Sequence, residues 1–169
     1  SGPGRYLLEL ARELGEEDLR VTLRDWDAVG LEEAASLTRK FGLTTVQIQR
    51  GDAFNPEDLK RITPPPQVVI VSGLYELFPD NSPIAHSLNG IHALLEKEGH
   101  LVYTNQPTHP QLEMIARCLP NREGRPWVMR LRLQEEMDRL VTEAGFQHQK
   151  TLADQRGIFT VSVAQKRPS

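Results

Sequence analysis

The chain has 169 residues, 38% of them apolar and 25% charged, with a net charge of −3. That is enough for one domain with a real core. It is too apolar for general disorder and lacks the basic excess of a general nucleic-acid binder.

Arg5 to Leu14 has apolar residues at Tyr6, Leu7, Leu10, Ala11 and Leu14, in steps of three and four, which predicts a helix stopped by Gly15. Leu19 to Leu23 (LRVTL) alternates and predicts a strand. Leu31 to Phe41 reads as a helix ended by Gly42, Thr45 to Gln49 as a strand, and Pro56 to Ile62 as a short helix capped by Asn55. Pro64-Pro65-Pro66 is a stiff turn. Val68 to Val71 (VVIV) is continuously apolar, the pattern of a strand buried on both faces. Then follow a helix from Pro83 to Glu98 ended by Gly99, a strand from His100 to Thr104, and helices over Gln111 to Cys118 and Met129 to Ala144. Two strands, His148 to Leu152 and Ile158 to Ala164, close the chain around a Gln155-Arg156-Gly157 turn.

Early alternation of helix and strand implies right-handed crossovers and a mostly parallel α/β sheet covered by helices. The last two strands have no helix between them, so they must be antiparallel. The single cysteine, Cys118, excludes an internal disulfide and a cysteine-based zinc cluster, and fits a reducing, cytoplasmic setting. No apolar run approaches the roughly 20 residues of a membrane span, and no signal-peptide pattern is present.

In an open α/β sheet, ligands lie beyond the carboxyl ends of the strands. Before the first visible strand stands a glycine turn, Gly2-Pro3-Gly4, and after it Arg24-Asp25-Trp26-Asp27. Asp25 lies 21 residues after Gly4, the spacing at which a dinucleotide-type site places an acid on the ribose hydroxyls. Either Asp25 does this with Trp26 on an adenine face, or it is a solvated loop acid beside a packed tryptophan. After the second strand, Asp52 either accepts an adenine amino group while small Ala53 lets backbone approach the ring, or caps the next helix. After VVIV comes Ser72-Gly73-Leu74-Tyr75-Glu76-Leu77-Phe78. Exposed aromatics around one acid suggest a pocket wall; the alternative is local core packing.

After the next strand, two prolines fix a loop that would present Asn105, Gln106 and His109. His109 is either a general base, its ordinary pKa being near neutrality, or a helix N-terminal residue with no proton to move. His86 and His92 read as packing or surface residues, and the five histidines show no metal-ligand spacing, so no metal is expected. Arg130 and Arg132 either clamp a carboxylate or phosphate or pair with Glu135, Glu136 or Asp138.

With these motifs in order, the chain resembles the class I methyltransferases that use S-adenosylmethionine. GPGRY, RDW, GDAF, SGLYELFPDN, YTNQPTHPQLE, VMRLRLQEEMD and GIFTVSVA resemble, more narrowly, a methyltransferase family often joined to an α/β-hydrolase (lysophospholipase-like) domain. The resemblance implies a Rossmann-like three-layer sandwich over residues 1–169. It implies that Gly2 and Gly4 approach the methionine part of S-adenosylmethionine, Asp25 holds the ribose, Trp26 flanks the adenine, and Asp52 with Ala53 reads its edge. Ser72 and Gly73 would lie near the sulfonium. Tyr75, Glu76 and His109 would face the acceptor. Read from the residues rather than the resemblance, that acceptor is expected to be a small molecule, lipid-derived or carboxylated, with Asn105, Gln106, Arg130 and Arg132 as its further contacts.

The family pattern has a strand before the glycine turn, between the strands ending at Asp25 and Ser72. Its absence implies an N-terminally truncated single domain whose sheet is completed by an upstream segment or by self-association, since open edges are otherwise left facing. It also raises a second reading, a non-catalytic module packed against a hydrolase partner. A nicotinamide dinucleotide site fits less well, because Leu7 stands where GxGxxG needs its third glycine.

Overall fold

The computed structural model describes residues 2–15, 19–120, 124–127 and 129–168. They fall into two compact units on either side of the Ala53–Phe54 bond.

In the first unit, helix α1 (Arg5–Leu14) precedes strand β1 (Val21–Asp25), helix α2 (Ala28–Phe41) and strand β2 (Val46–Arg50). The two strands are parallel, with Val21 opposite Val46 and Asp25 opposite Arg50. The core is Leu8, Ala11, Val21, Leu23, Ala34 and Leu43. Helix α1 therefore points Leu8 and Ala11 inward, whereas Tyr6, Leu10 and Leu14 of the expected stripe are exposed. Strand β1 runs two residues later than LRVTL suggested, and this brings Asp25 into the strand itself. Asp27 caps α2 by accepting from the Val29 N–H, and Gly42 ends it in the left-handed conformation.

The second unit holds helix α3 (Pro56–Leu59), strand β3 (Val68–Val71), helix α4 (Asn81–Leu94), strand β4 (His100–Asn105), helices α5 (Leu112–Cys118) and α6 (Gln134–Glu143), and strands β5 (Phe146–Ala153) and β6 (Thr160–Lys166). Its sheet has the order β3-β4-β6-β5. β3 and β4 are parallel; β6 runs antiparallel to both β4 and β5, so the expected C-terminal hairpin is present and the sheets are mixed. Among the described residues β1 pairs only with β2, and β3 only with β4. The core joins Val71, Ile84, Leu88, Ile91, Leu101, Tyr103, Met137, Val141 and Phe146.

Two expectations are corrected here. β3 is not buried on both faces: Val68 is 50% exposed, because β3 takes the edge of this sheet. Residues 129–133 are not helical; α6 starts at Gln134, and Leu133 is extended. Among the described residues, no helix is long and apolar enough to cross a membrane.

Candidate functional site

In the first unit the carboxyl ends of β1 and β2 meet the glycine turn. Asp25 Oδ2 accepts the Gly2 N–H at 2.9 Å and Oδ1 accepts the Asp27 N–H at 2.9 Å. The Gly51 N–H donates to the Asp25 carbonyl at 3.0 Å. Burial raises the Asp25 pKa, but hydrogen bonds, those from Asp27 and Gly2 among them, hold it below the ordinary value. One carboxylate thus ties two backbone turns to the end of β1.

Gly2 and Gly4 both have left-handed backbones, φ 53° and 59°. Space above Gly2 is open, whereas a Cβ on Gly4 would lie 2.7 Å from the Leu23 side chain. Gly4→Ala is therefore expected to destabilise the chain by about 1–3 kcal/mol through left-handed strain plus overlap. Gly2→Ala is expected to add only the strain. Denaturant unfolding of the two variants tests this, and equal costs would exclude the Leu23 contact as a cause.

Trp26 is 59% exposed, and the Arg50 guanidinium stacks on its ring 4.5 Å from the centroid. The packed-tryptophan alternative is thereby excluded. Asp52 and Ala53 are half-buried after β2. The cap of α3 is Asn55, whose Oδ1 accepts the N–H groups of Glu57 and Asp58, as the Asn55-Pro56 pair implied.

In the second unit the loop after β3 carries Ser72, half-buried, and Gly73, exposed with φ 64°. The Gly73 N–H donates to Thr104 Oγ1 at 2.8 Å, and that hydroxyl donates to Glu76 Oε1 at 3.0 Å. Glu76 is 5% exposed, and its Oε2 is buried without a hydrogen-bond partner. Burial raises its pKa, and the Thr104 hydroxyl offsets only part of that.

Tyr75 does not line a pocket. It is 2% exposed, packs in the core, and its hydroxyl pairs with Ser87 Oγ at 3.0 Å. Burial pushes that hydroxyl well above the usual tyrosine range. Phe78 packs edge-on against Phe54 with centroids 4.5 Å apart. Only Leu77 of this stretch's large apolar side chains is exposed.

The arginines are corrected too. Arg132 is 1% exposed. Its Nε donates to Asn81 Oδ1 (2.8 Å), Nη1 to the Tyr75 carbonyl (2.9 Å), and Nη2 to the carbonyls of Phe78 (2.7 Å) and Asp80 (3.2 Å). Arg130 donates to the Pro79 carbonyl and pairs with Glu136, the surface alternative. Both arginines donate to carbonyls of the post-β3 loop.

Asn105 is also withdrawn from the sheet edge. It is 4% exposed, and its Nδ2 donates to the Arg132 carbonyl at 3.0 Å. Gln106 is 8% exposed, and its Oε1 has no partner. His109 is half-buried and its Nδ1 accepts the Gln111 N–H at 3.1 Å. His92 packs edge-on against Phe146, as expected of a helix histidine. Sequence reasoning missed Thr104, the link between Gly73 and Glu76. Its one signal was its place next to the end of β4.

The chain is 47% identical over 170 residues to "Uncharacterized protein YnbC" of Escherichia coli (strain K12), a match spanning 99% of this chain and 29% of the relative. It thus spans under a third of that protein's length. Among solved structures it superposes on a SAM-dependent methyltransferase from Methanosarcina mazei with a TM-score of 0.73, at 16% identity over 99% of this chain and 90% of that one. It also superposes on an O-methyltransferase family protein from Burkholderia thailandensis with a TM-score of 0.78, at 14% identity over 99% of this chain and 49% of that one. At such identities the likeness concerns the fold, which is the α/β fold of these methyltransferases. The sequence pattern of the family described as "Putative methyltransferase" matches residues 1–166, and the chain belongs to that family.

Proposed function

We propose that the chain is an S-adenosylmethionine-dependent methyl-transfer domain acting on a small molecule. The observation that carries this, beside the family match, is the glycine turn bound to the carboxylate that ends β1. Two left-handed glycines with open space above Gly2, anchored by Asp25, fit close approach of a charged cofactor. Gly2 and Gly4 would admit its methionine part. Asp25 would take the ribose hydroxyls, exposed Trp26 would flank the adenine, and Asp52 with Ala53 would read the adenine edge.

S-adenosylmethionine supplies an electrophilic methyl group. What remains for this chain is to align a nucleophile and, for an oxygen or nitrogen acceptor, to receive a proton. In the second unit Ser72 and Gly73 shape the loop after β3. Glu76, with one buried oxygen that has no hydrogen-bond partner, is the group suited to hold that proton, while His109, whose Nδ1 accepts from Gln111, is left with a donor at Nε2. Gln106 is suited to orient an acceptor through its unpartnered Oε1.

S-adenosylhomocysteine at a hundredfold excess over its Kd is expected to stabilise the chain by about 2.7 kcal/mol, roughly 5–10 °C in Tm. Asp25→Asn is expected to weaken binding about 10- to 100-fold, because neutral hydrogen bonds replace charge-assisted ones. Thermal unfolding reads the first and calorimetric titration the second. No thermal shift at saturation, with equal affinity in the variant, would remove this reading.

A further inference from the structure

A cleft of about 490 Å3 opens in the second unit at the carboxyl end of β4, lined by Thr108, His109, Pro110, Leu131, Arg156 and Ile158. Its volume is that of a small-molecule site. Two of these side chains are basic and none is acidic. Arg156 has no hydrogen bond or ion pair among the described residues. The neighbouring acid, Asp154, is committed to the hairpin instead, its Oδ1 accepting from the N–H groups of Ile158 and Phe159. Thr108 Oγ1 donates to the Gly157 carbonyl at 3.1 Å, which ties the loop of His109 to the turn of Arg156. His109 has one nitrogen occupied by the Gln111 N–H, which leaves Nε2 to donate.

We infer that this cleft binds a small organic carboxylate with an apolar body, and that it is the acceptor-recognition site of the methyl-transfer reading, on which the inference rests. The planar guanidinium of Arg156 matches a carboxylate through two parallel N–H···O bonds, and His109 adds a third donor. Pro110, Leu131 and Ile158 offer apolar walls for the rest of the molecule. The carboxylate here is the handle by which the acceptor is held. Arg156 carried no motif in the sequence, and it stands in the turn only as one of three loop residues.

Titrating the labelled chain with octanoate, octanol and octylamine, without cofactor, tests this by NMR. Octanoate is expected to shift the Leu131 and Ile158 methyls most, and octylamine to leave them unmoved. Arg156→Gln, at an exposed position with no partner to lose, is expected to weaken octanoate at least about tenfold and to leave octanol unchanged. Leu131→Glu is expected to abolish octanoate binding by placing a like charge in the cleft. Equal binding of octylamine, an unchanged octanoate affinity in Arg156→Gln, or shifts centred elsewhere would overturn the inference. An S-adenosylhomocysteine titration of the same sample separates the two ideas. Cofactor binding without octanoate sinks the cleft alone. Octanoate binding without cofactor binding sinks the methyl-transfer reading, and with it the assignment of the cleft to an acceptor.

Discussion

Replacing Arg132 with methionine is expected to destabilise the chain by about 3–5 kcal/mol, the cost of breaking a buried charge held by four hydrogen bonds. The side chain is 1% exposed, and all three nitrogens donate. Methionine fills much of the space but leaves the carbonyls of Tyr75, Phe78 and Asp80 without this donor, each such loss costing about 1–3 kcal/mol if the site stays dry. The losses share one side chain and so will not add. Lysine is no remedy, because a single ammonium cannot reproduce the fork that spans four acceptors. Arg130→Met supplies the control. Its pair with Glu136 is partly exposed, so its removal is expected to cost at most about 1 kcal/mol. Denaturant unfolding measures the difference, and hydrogen exchange should show protection lost first over residues 75–80. If Arg132→Met costs no more than Arg130→Met, the buried network is not what holds the loop.

Helix Arg5–Leu14 and strand Val68–Val71 were legible to the residue, and the closing hairpin was legible from the absence of a helix between two apolar runs. Local pattern sufficed there, since a Gly stop or an apolar run is written in consecutive residues. The strand ending at Asp25 was read two residues early because its bounds are set by pairing with Val46–Arg50, a partner that LRVTL does not contain. Arg132 shows the larger gap. RLRLQEEMD continues a helical period backward from α6, yet the arginine bonds acceptors 51 to 57 residues away. Nothing local distinguishes such a pin from a solvated arginine or a ligand clamp. Tyr75 was misjudged for the same reason, since its hydroxyl partner is Ser87 on α4. The glycine turn and Asp25 were legible as a pair because turn chemistry and strand ends recur at fixed spacing. What the spacing did not contain is that the acid holds the turn.

Glu76 should leave a signature in the pH dependence of stability. Burial raises its folded pKa above the ordinary glutamate value of 4.5. Between the unfolded and folded pKa values the native state therefore holds a proton that the unfolded state has released. Stability must then fall as pH rises through that window, by up to about 1.4 kcal/mol per pH unit for one proton. Below the unfolded pKa both states are protonated, and above the folded pKa both are ionised, so the effect is flat on either side. Glu76→Gln removes the titration whatever its own offset, and Gln Oε1 can still accept from Thr104. The wild-type minus variant difference is thus expected to decline across the window and then level. Unfolding curves at a series of pH values measure this difference, and parallel curves would exclude a raised folded pKa. Because the Thr104 hydroxyl bonded to Glu76 also receives the Gly73 N–H, the Gly73 amide resonance is expected to titrate at the same midpoint in the wild type and to stay still in Glu76→Gln. A Gly73 shift that survives the substitution would mean that the loop after β3 senses some other group. A coincident shift would tie the one buried carboxyl oxygen without a partner on this loop to the backbone placed at the carboxyl end of β3.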